Sequence, residues 1–467
     1  MLQLTPLLDK MSKVPLYSQL YAYVKGQIES GGITPGTRLP SIRYLSGDLR
    51  ISKNTVEAAY QQLVAEGYLE SKKRNGLTVL ALEEADTIPA PPQPVSRLEV
   101  QADCCRYDFR YGDIELKHFP VRTWKRCLSD SFDADPYGVL GYGDAQGNPG
   151  LRAQIASYLY KTRGVSCTPE QIMIGSGTQY SIHMVIRLLS LEGQRIAMED
   201  PGYNGARTVF QSSGCRIVPV ALDQDGLHVD ELYAKAAGVR AVYVTPSHQF
   251  PLGMILSVQK RMRLLQWAAQ HDALIIEDDY DGEFRYIGQP IPSLKALDMS
   301  ERVIYLGTFS KSFLPAARLS YAVLPKTLLA GLEPLLSVYN QPASPIIQQA
   351  VSLFMSRGHF SSHVRKMRRL YQAKHKALIA LIQQEMGERV TIIGHKSGLH
   401  ILLDVIGKDS EVLLEQAARR GVRVYSPRIH WLEPDDCPSS YVLLGFGGLS
   451  DAELAGSIRL LREAWFG

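Results

Sequence analysis

Between residues 17 and 28, apolar side chains recur every three or four positions. Tyr17, Leu20, Tyr21, Val24 and Ile28 share one helical face. GGITPG, at 31–36, breaks that helix. The spacing returns over Ser41–Leu49, with Ile42, Leu45 and Leu49 inward. A third helix starts at Ser52, a residue suited to an N-cap. It turns Val56, Ala59, Tyr60 and Leu63 inward, and Gly67 stops it. YLESKK and LTVLAL then flank Arg74-Asn75-Gly76, which reads as a hairpin turn. Three helices and a hairpin predict a winged helix-turn-helix over residues 1–81.

Past residue 107 the rhythm changes. Short apolar runs alternate with helical patterns: QIMIGSG before TQYSIHMVIRLL, then RIAMEDPGY, AVYVTPSH, ALIIEDD and VIYLGTFSK. Such alternation predicts an α/β domain with a mainly parallel sheet over residues 107–467. Between the two lies EEADTIPAPPQPVSRLE, at 83–99, which is rich in proline and has little apolar period. A semi-extended linker is expected over residues 82–106.

At 467 residues the chain exceeds one typical core, which agrees with this division. No uninterrupted apolar run is long enough to span a bilayer, and MLQLTPLLDKMSK lacks the layout of a secretory signal. The six cysteines form no CxxC pair, so reduced thiols in a cytoplasm are expected, with no metal site. The net charge of +4 is unevenly placed: residues 1–80 hold ten Lys/Arg and six Asp/Glu, and the remainder holds 41 of each sign. A basic front module on a neutral body points to a polyanion partner.

A recognition helix offers its N-terminal residues to base edges in the major groove. Here those are Ser52, Lys53, Asn54 and Thr55. Lys53 can reach guanine or phosphate, Asn54 can pair with adenine, and Ser52 or Thr55 can hold a phosphate. Arg43 lies on the preceding helix, opposite its apolar face, and Lys72, Lys73 and Arg74 would charge the wing around Gly76.

The body's chemistry gathers at strand ends. GTFSKSFLPAAR closes an apolar strand on Lys311, with Arg318 seven residues on. A lysine deprotonated by its surroundings can form an imine, as pyridoxal phosphate (PLP) requires. PLP also needs a carboxylate near its pyridine nitrogen and a cup for its phosphate. ALIIEDDY supplies Asp278 for the nitrogen and Tyr280 for the ring hydroxyl. GSGTQ passes from strand to helix, so Thr178 and Gln179 can offer backbone N–H groups to phosphate, with Thr308 and Arg318 closing the cup. Tyr203, in PGY, can stack on or bond to the cofactor.

The run from PLYSQL to EGYLE resembles the GntR-type winged helix, through PLYxQ, GxxLPSxRxL and SxxTVxxAYxxLxxEGYL; the family's Gly-x-Gly wing is replaced by Arg74-Asn75-Gly76. The order LGYGDAQGNPGLR, GSGTQ, EDPGY, TPSHQFPLG, EDDY, SK and Arg318 resembles class I, fold-type I aminotransferases. That resemblance implies Lys311 as the Schiff-base lysine, Asp278 at the pyridine nitrogen and Tyr280 at the ring oxygen. Gln179, Thr308 and Arg318 would lie near the phosphate, and Tyr142 would come from the partner subunit. Acid and tyrosine stand two apart instead of the usual three, which leaves Asp279 or Glu277 open as the nitrogen's partner. The usual Asn-Pro-x-Gly is Phe250-Pro251-Leu252-Gly253, and LLGFGG at 443–448 lacks the carboxylate-binding arginine, leaving Arg428 as the nearest effector-binding candidate.

Joined in this way, the two halves resemble the MocR family of bacterial transcriptional regulators, within GntR. The resemblance implies a homodimer, head-to-tail, on an operator of paired half-sites. Its body would sense PLP, or an amine or amino acid bound to it, in control of PLP (vitamin B6) synthesis or of 4-aminobutyrate use. Gly205 stands where the aminobutyrate type carries an arginine, which favours PLP itself. An aminotransferase with a vestigial DNA-binding domain is the alternative, marked by steady amino-group transfer and no operator binding.

Overall fold

The computed structural model describes residues 4–6, 8–10, 12–72, 76–81, 105–286 and 291–467. The expected linker lies outside the described residues except for Cys105 and Arg106, as do the wing residues Lys73, Arg74 and Asn75 and the side chain of Lys72. The chain divides into two compact units, Met1–Ala102 and Asp103–Gly467.

In the front unit, α1 spans Leu16–Glu29, α2 spans Ile42–Asp48 and α3 spans Lys53–Ala65. Strands β1 (Leu69–Lys72) and β2 (Gly76–Val79) pair antiparallel, with Leu69 opposite Val79. Ser41 and Ser52 cap α2 and α3 by accepting from Tyr44 N and Thr55 N. Such caps satisfy helix N–H groups that have no intrahelical partner. Leu20, Val24, Ile28, Leu45, Val56, Ala59, Tyr60 and Leu63 form the core with Leu69 and Val79. Tyr60 keeps its hydroxyl satisfied there by donating to Pro40 O at 3.1 Å. Tyr17 departs from the expected inward face: it is 40% exposed, because the buried stripe of α1 begins only at Leu20.

The second unit is built on an eight-stranded sheet. Its strands are β3 (Ile172–Gly175), β4 (Arg195–Asp200), β5 (Arg216–Asp223), β6 (Gly226–Leu227), β7 (Val239–Val244), β8 (Leu274–Asp278), β9 (Val303–Thr308) and β10 (Ser320–Val323). They lie in the order β3-β10-β9-β8-β7-β4-β5-β6. The run β9-β8-β7-β4-β5 is parallel, and β10 is antiparallel to both its neighbours. Cores cover both faces, so the central strands are apolar along their length instead of alternating. A smaller antiparallel sheet, β11 (Val390–Ile393), β12 (His400–Val405) and β13 (Tyr441–Gly445), packs on the helices His359–Met386 and Asp451–Phe466. The carboxyl ends of β3, β4, β7, β8 and β9 share one edge of the large sheet. Open α/β sheets bind ligands along that edge.

Candidate functional site

At the end of β9, Thr308 caps the short helix Phe309–Ser312 by accepting from Ser310 N at 3.2 Å. That turn brings Ser310 and Lys311 into a cleft of about 260 Å³. Lys311 Nζ lies 4.3 Å from the centre of the Tyr111 ring. A Cβ at Gly112 would sit 3.1 Å from the same nitrogen, so glycine keeps the backbone clear of it. Burial pushes the Lys311 amine down to about 8, against the pull of Asp281 and Asp113. Neutral amine is therefore accessible near physiological pH, and only neutral amine is a nucleophile.

The three consecutive acids at the end of β8 divide by their partners. Glu277 accepts from the backbone N–H groups of Leu294 (2.8 Å) and Lys295 (2.9 Å). Asp279 stands 2.6 Å from Arg163 Nε and accepts from Tyr305 Oη at 2.6 Å. Asp278 alone of the three lines the cleft. Its Oδ2 accepts from Tyr243 Oη at 2.5 Å, while its buried Oδ1 has no hydrogen-bond partner among the described residues. Burial pushes this carboxyl up to about 7. An oxygen so placed is short of one donor, which a protonated ring nitrogen would supply.

Opposite, β3 leads through Ser176 and Gly177 into the helix Thr178–Leu189. Gly177 caps that helix with φ +123° and no side chain, leaving the first N–H groups open to an anion. A Cβ there would lie 2.6 Å from Arg318 Nη2, so the glycine makes room for the guanidinium. Arg318, at φ +50°, donates to Ser176 O at 3.1 Å and faces the same cleft as Thr178, Gln179, Thr308 and Ser310. Buried amine, acid short of a donor and cationic cup fit the three ends of PLP.

In the front unit, the first turn of α3 presents Lys53 and Asn54 as exposed side chains, and Arg43 is exposed on α2. Ser52 Oγ and Thr55 Oγ1 lie 2.8 Å apart and Ser52 caps the helix, so these two hydroxyls are partly committed within the protein. Gly76, at φ +74°, opens β2, where a Cβ would lie 3.1 Å from Arg38 Nε.

Comparison with known proteins bears on both units. Residues 16–79 match the family model of bacterial regulatory proteins, gntR family, and residues 110–432 match aminotransferase class I and II. The uncharacterized HTH-type transcriptional regulator YdeL of Bacillus subtilis is 40% identical over 468 residues, covering 99% of this chain and all of that one. The probable rhizopine catabolism regulatory protein MocR of Rhizobium meliloti is 35% identical, over 98% of this chain and 95% of its own. The chain belongs to the MocR family of GntR-type transcriptional regulators. The pyridoxine biosynthesis regulator PdxR of Corynebacterium glutamicum is 30% identical, over 89% of this chain and 88% of its own. Among solved structures, kynurenine aminotransferase of Pyrococcus horikoshii, determined with PMP, superposes with a TM-score of 0.70 at 27% identity, covering 76% of this chain and 90% of that one.

Within this MocR-type body, Tyr280 and Tyr203 lie in the cleft, whereas Arg428 does not. Tyr280 lines the cleft, but its hydroxyl lies 2.9 Å from both His248 O and His248 Nδ1, so its proton is held by His248. Tyr203 is in the cleft wall, edge-on to Phe250 at 5.9 Å. Phe250 fills the position of the missing asparagine and packs on Tyr111 at 4.6 Å, leaving an apolar wall. Tyr142 is 83% exposed and does not line its own chain's cleft. Arg428 is not brought to the cleft. Its guanidinium reaches Glu411 at 2.9 Å and Asp435 at 2.6 Å, two surface acids that hold it outward. Behind LLGFGG, a Cβ at Gly445 would meet Tyr111 Cα at 2.7 Å, so those glycines let the Tyr111 segment pass. Tyr111, Gly112, Ser310 and Tyr243 were not legible as site residues. Of these only Ser310, beside the lysine in the Ser-Lys pair, carried a local signal.

Proposed function

We propose that this regulator holds PLP on Lys311 and reports its occupancy to the winged helix. One observation carries the reading: Asp278, whose buried Oδ1 has no hydrogen-bond partner among the described residues, lines the same cleft as a lysine whose pKa burial lowers to about 8 and an arginine-lined cup. Bound PLP would supply an aldehyde for reversible capture of amines and a ring that withdraws electrons. Lys311 is the amine that competes for that aldehyde. Asp278, steered by the Tyr243 hydroxyl, would hold the ring nitrogen and its proton. Arg318, Ser310 and the N–H groups at Thr178 and Gln179 would hold the phosphate, and Phe250 and Tyr203 would keep water from the ring.

Among the described residues lining the cleft, Arg318 is the one arginine, and it belongs to the cup. Among the described residues of the lining, no further arginine waits for an effector's carboxylate, which favours PLP itself as the signal over an amino acid. Similarity to the pyridoxine biosynthesis regulator supports control of vitamin B6 metabolism. A homodimer would set two winged helices on an operator with paired half-sites. Among the described residues no helix is long and apolar enough to cross a membrane.

The chemistry has a pH signature. Because burial depresses the Lys311 pKa to about 8, its reactive form accumulates as pH rises through 8 and saturates above it. Stopped-flow absorbance should show the rate of PLP capture rising between pH 6 and pH 8 and levelling by about pH 9. A rate still climbing nearly tenfold per unit between pH 8 and pH 9 would mean an ordinary exposed lysine, and would count against this site.

A further inference from the structure

A second cavity, of about 330 Å³, shares no lining residue with the PLP cleft. It lies between the helix Pro149–Arg163, the loop at 282–285 and the first turns of the helix His359–Met386. Among the described residues, five cations line it: Lys161, Arg163, Arg285, Arg365 and Arg368. Arg163 is committed to Asp279. Lys161, Arg365 and Arg368 make no ion pair with any described residue.

The walls are of another kind. Tyr158 and Val364 supply apolar surface, and the Tyr158 hydroxyl donates to Glu283 Oε1 at 3.3 Å. Among the described residues of the lining Glu283 is the one carboxylate, and burial pushes it up to about 7, so near neutrality it offsets the cations only in part. Like charges converging on a concave apolar surface repel one another, and an anion there relieves that repulsion.

We propose that this cavity binds a small, doubly charged organic anion with a flat apolar body. Arg365, Arg368 and Lys161 would hold the charged head, and Tyr158 and Val364 would pack on the body. A cavity with apolar walls suits a small molecule better than a nucleic-acid backbone, which needs a track of exposed cations. The proposal does not rest on the PLP reading, because the two sites are built from different residues.

Phenyl phosphate is a suitable probe, titrated by calorimetry at fixed salt into the full chain in the presence of saturating PLP, so that the first cleft is already filled. Saturable binding at one per chain is expected, tighter than for inorganic phosphate, which cannot use the apolar wall. Charge reversal at two exposed positions, Arg365→Glu with Arg368→Glu, should weaken it by at least about tenfold. Arg318→Ala, which empties the PLP cup of its cation, should leave it unchanged. Three results would overturn the proposal. They are no saturable heat, loss of binding in Arg318→Ala with retention in the double variant, or equal affinity for both phosphates with full displacement by duplex DNA. The last would mark a general polyanion surface.

Discussion

Lys311→Ala is expected to abolish covalent capture of PLP while leaving the protein folded. No other lysine lines the cleft among the described residues, so no amine can substitute. The side chain contributes little to the fold, because a desolvated lysine against one tyrosine ring gains less than it loses by leaving water. Borohydride treatment followed by absorbance at the reduced-adduct band measures the outcome, with thermal unfolding as the control. The parent should trap one PLP per chain and the variant none. An undiminished reducible chromophore in the variant would remove Lys311 from the site.

The second large effect is on DNA. Asn54 is exposed in the first turn of α3, where a side-chain amide can pair with an adenine edge. Asn54→Ala should cost roughly 1–3 kcal/mol on the preferred sequence and relax the choice of base at one position. Lys53→Ala and Arg43→Ala should instead weaken binding to all sequences and flatten its dependence on salt, as loss of phosphate contacts does. Binding measured at matched salt on a panel of single-base operator variants separates the two behaviours. Parent-like binding by all three variants would mean that α3 is not the reading helix.

The front unit was largely legible from its sequence because it is small and one-sided. Its apolar period, its serine caps and Gly67 locate each helix to within a residue or two. Tyr17 misled because periodicity shows which face a residue shares, not where the cover ends. In the body, strand ends could be read from apolar runs that stop on polar residues. The choice among Glu277, Asp278 and Asp279 could not. A strand covered on both faces gives no alternation to show which acid meets the cleft. Their partners, Leu294, Arg163 and Tyr243, come from three distant segments. Arg428 failed for a similar reason: the acids that hold it, Glu411 and Asp435, become its neighbours only in the fold. Tyr111 lies on a segment with no regular structure, allowed to pass close by Gly445 at the end of a strand more than 300 residues later.

In the proposed function, the state of Lys311 governs the winged helix. A ligand can shift a protein between two states only by its differential affinity for them. Fluorescence anisotropy of a labelled operator, located by footprinting upstream of neighbouring genes, measures this directly in the presence and absence of PLP. In the parent protein, PLP should change affinity for paired half-sites more than for one isolated half-site. In Lys311→Ala, the same titration should leave both affinities where they were. An equal change on both DNAs in the parent, or an undiminished PLP effect in Lys311→Ala, would contradict the account.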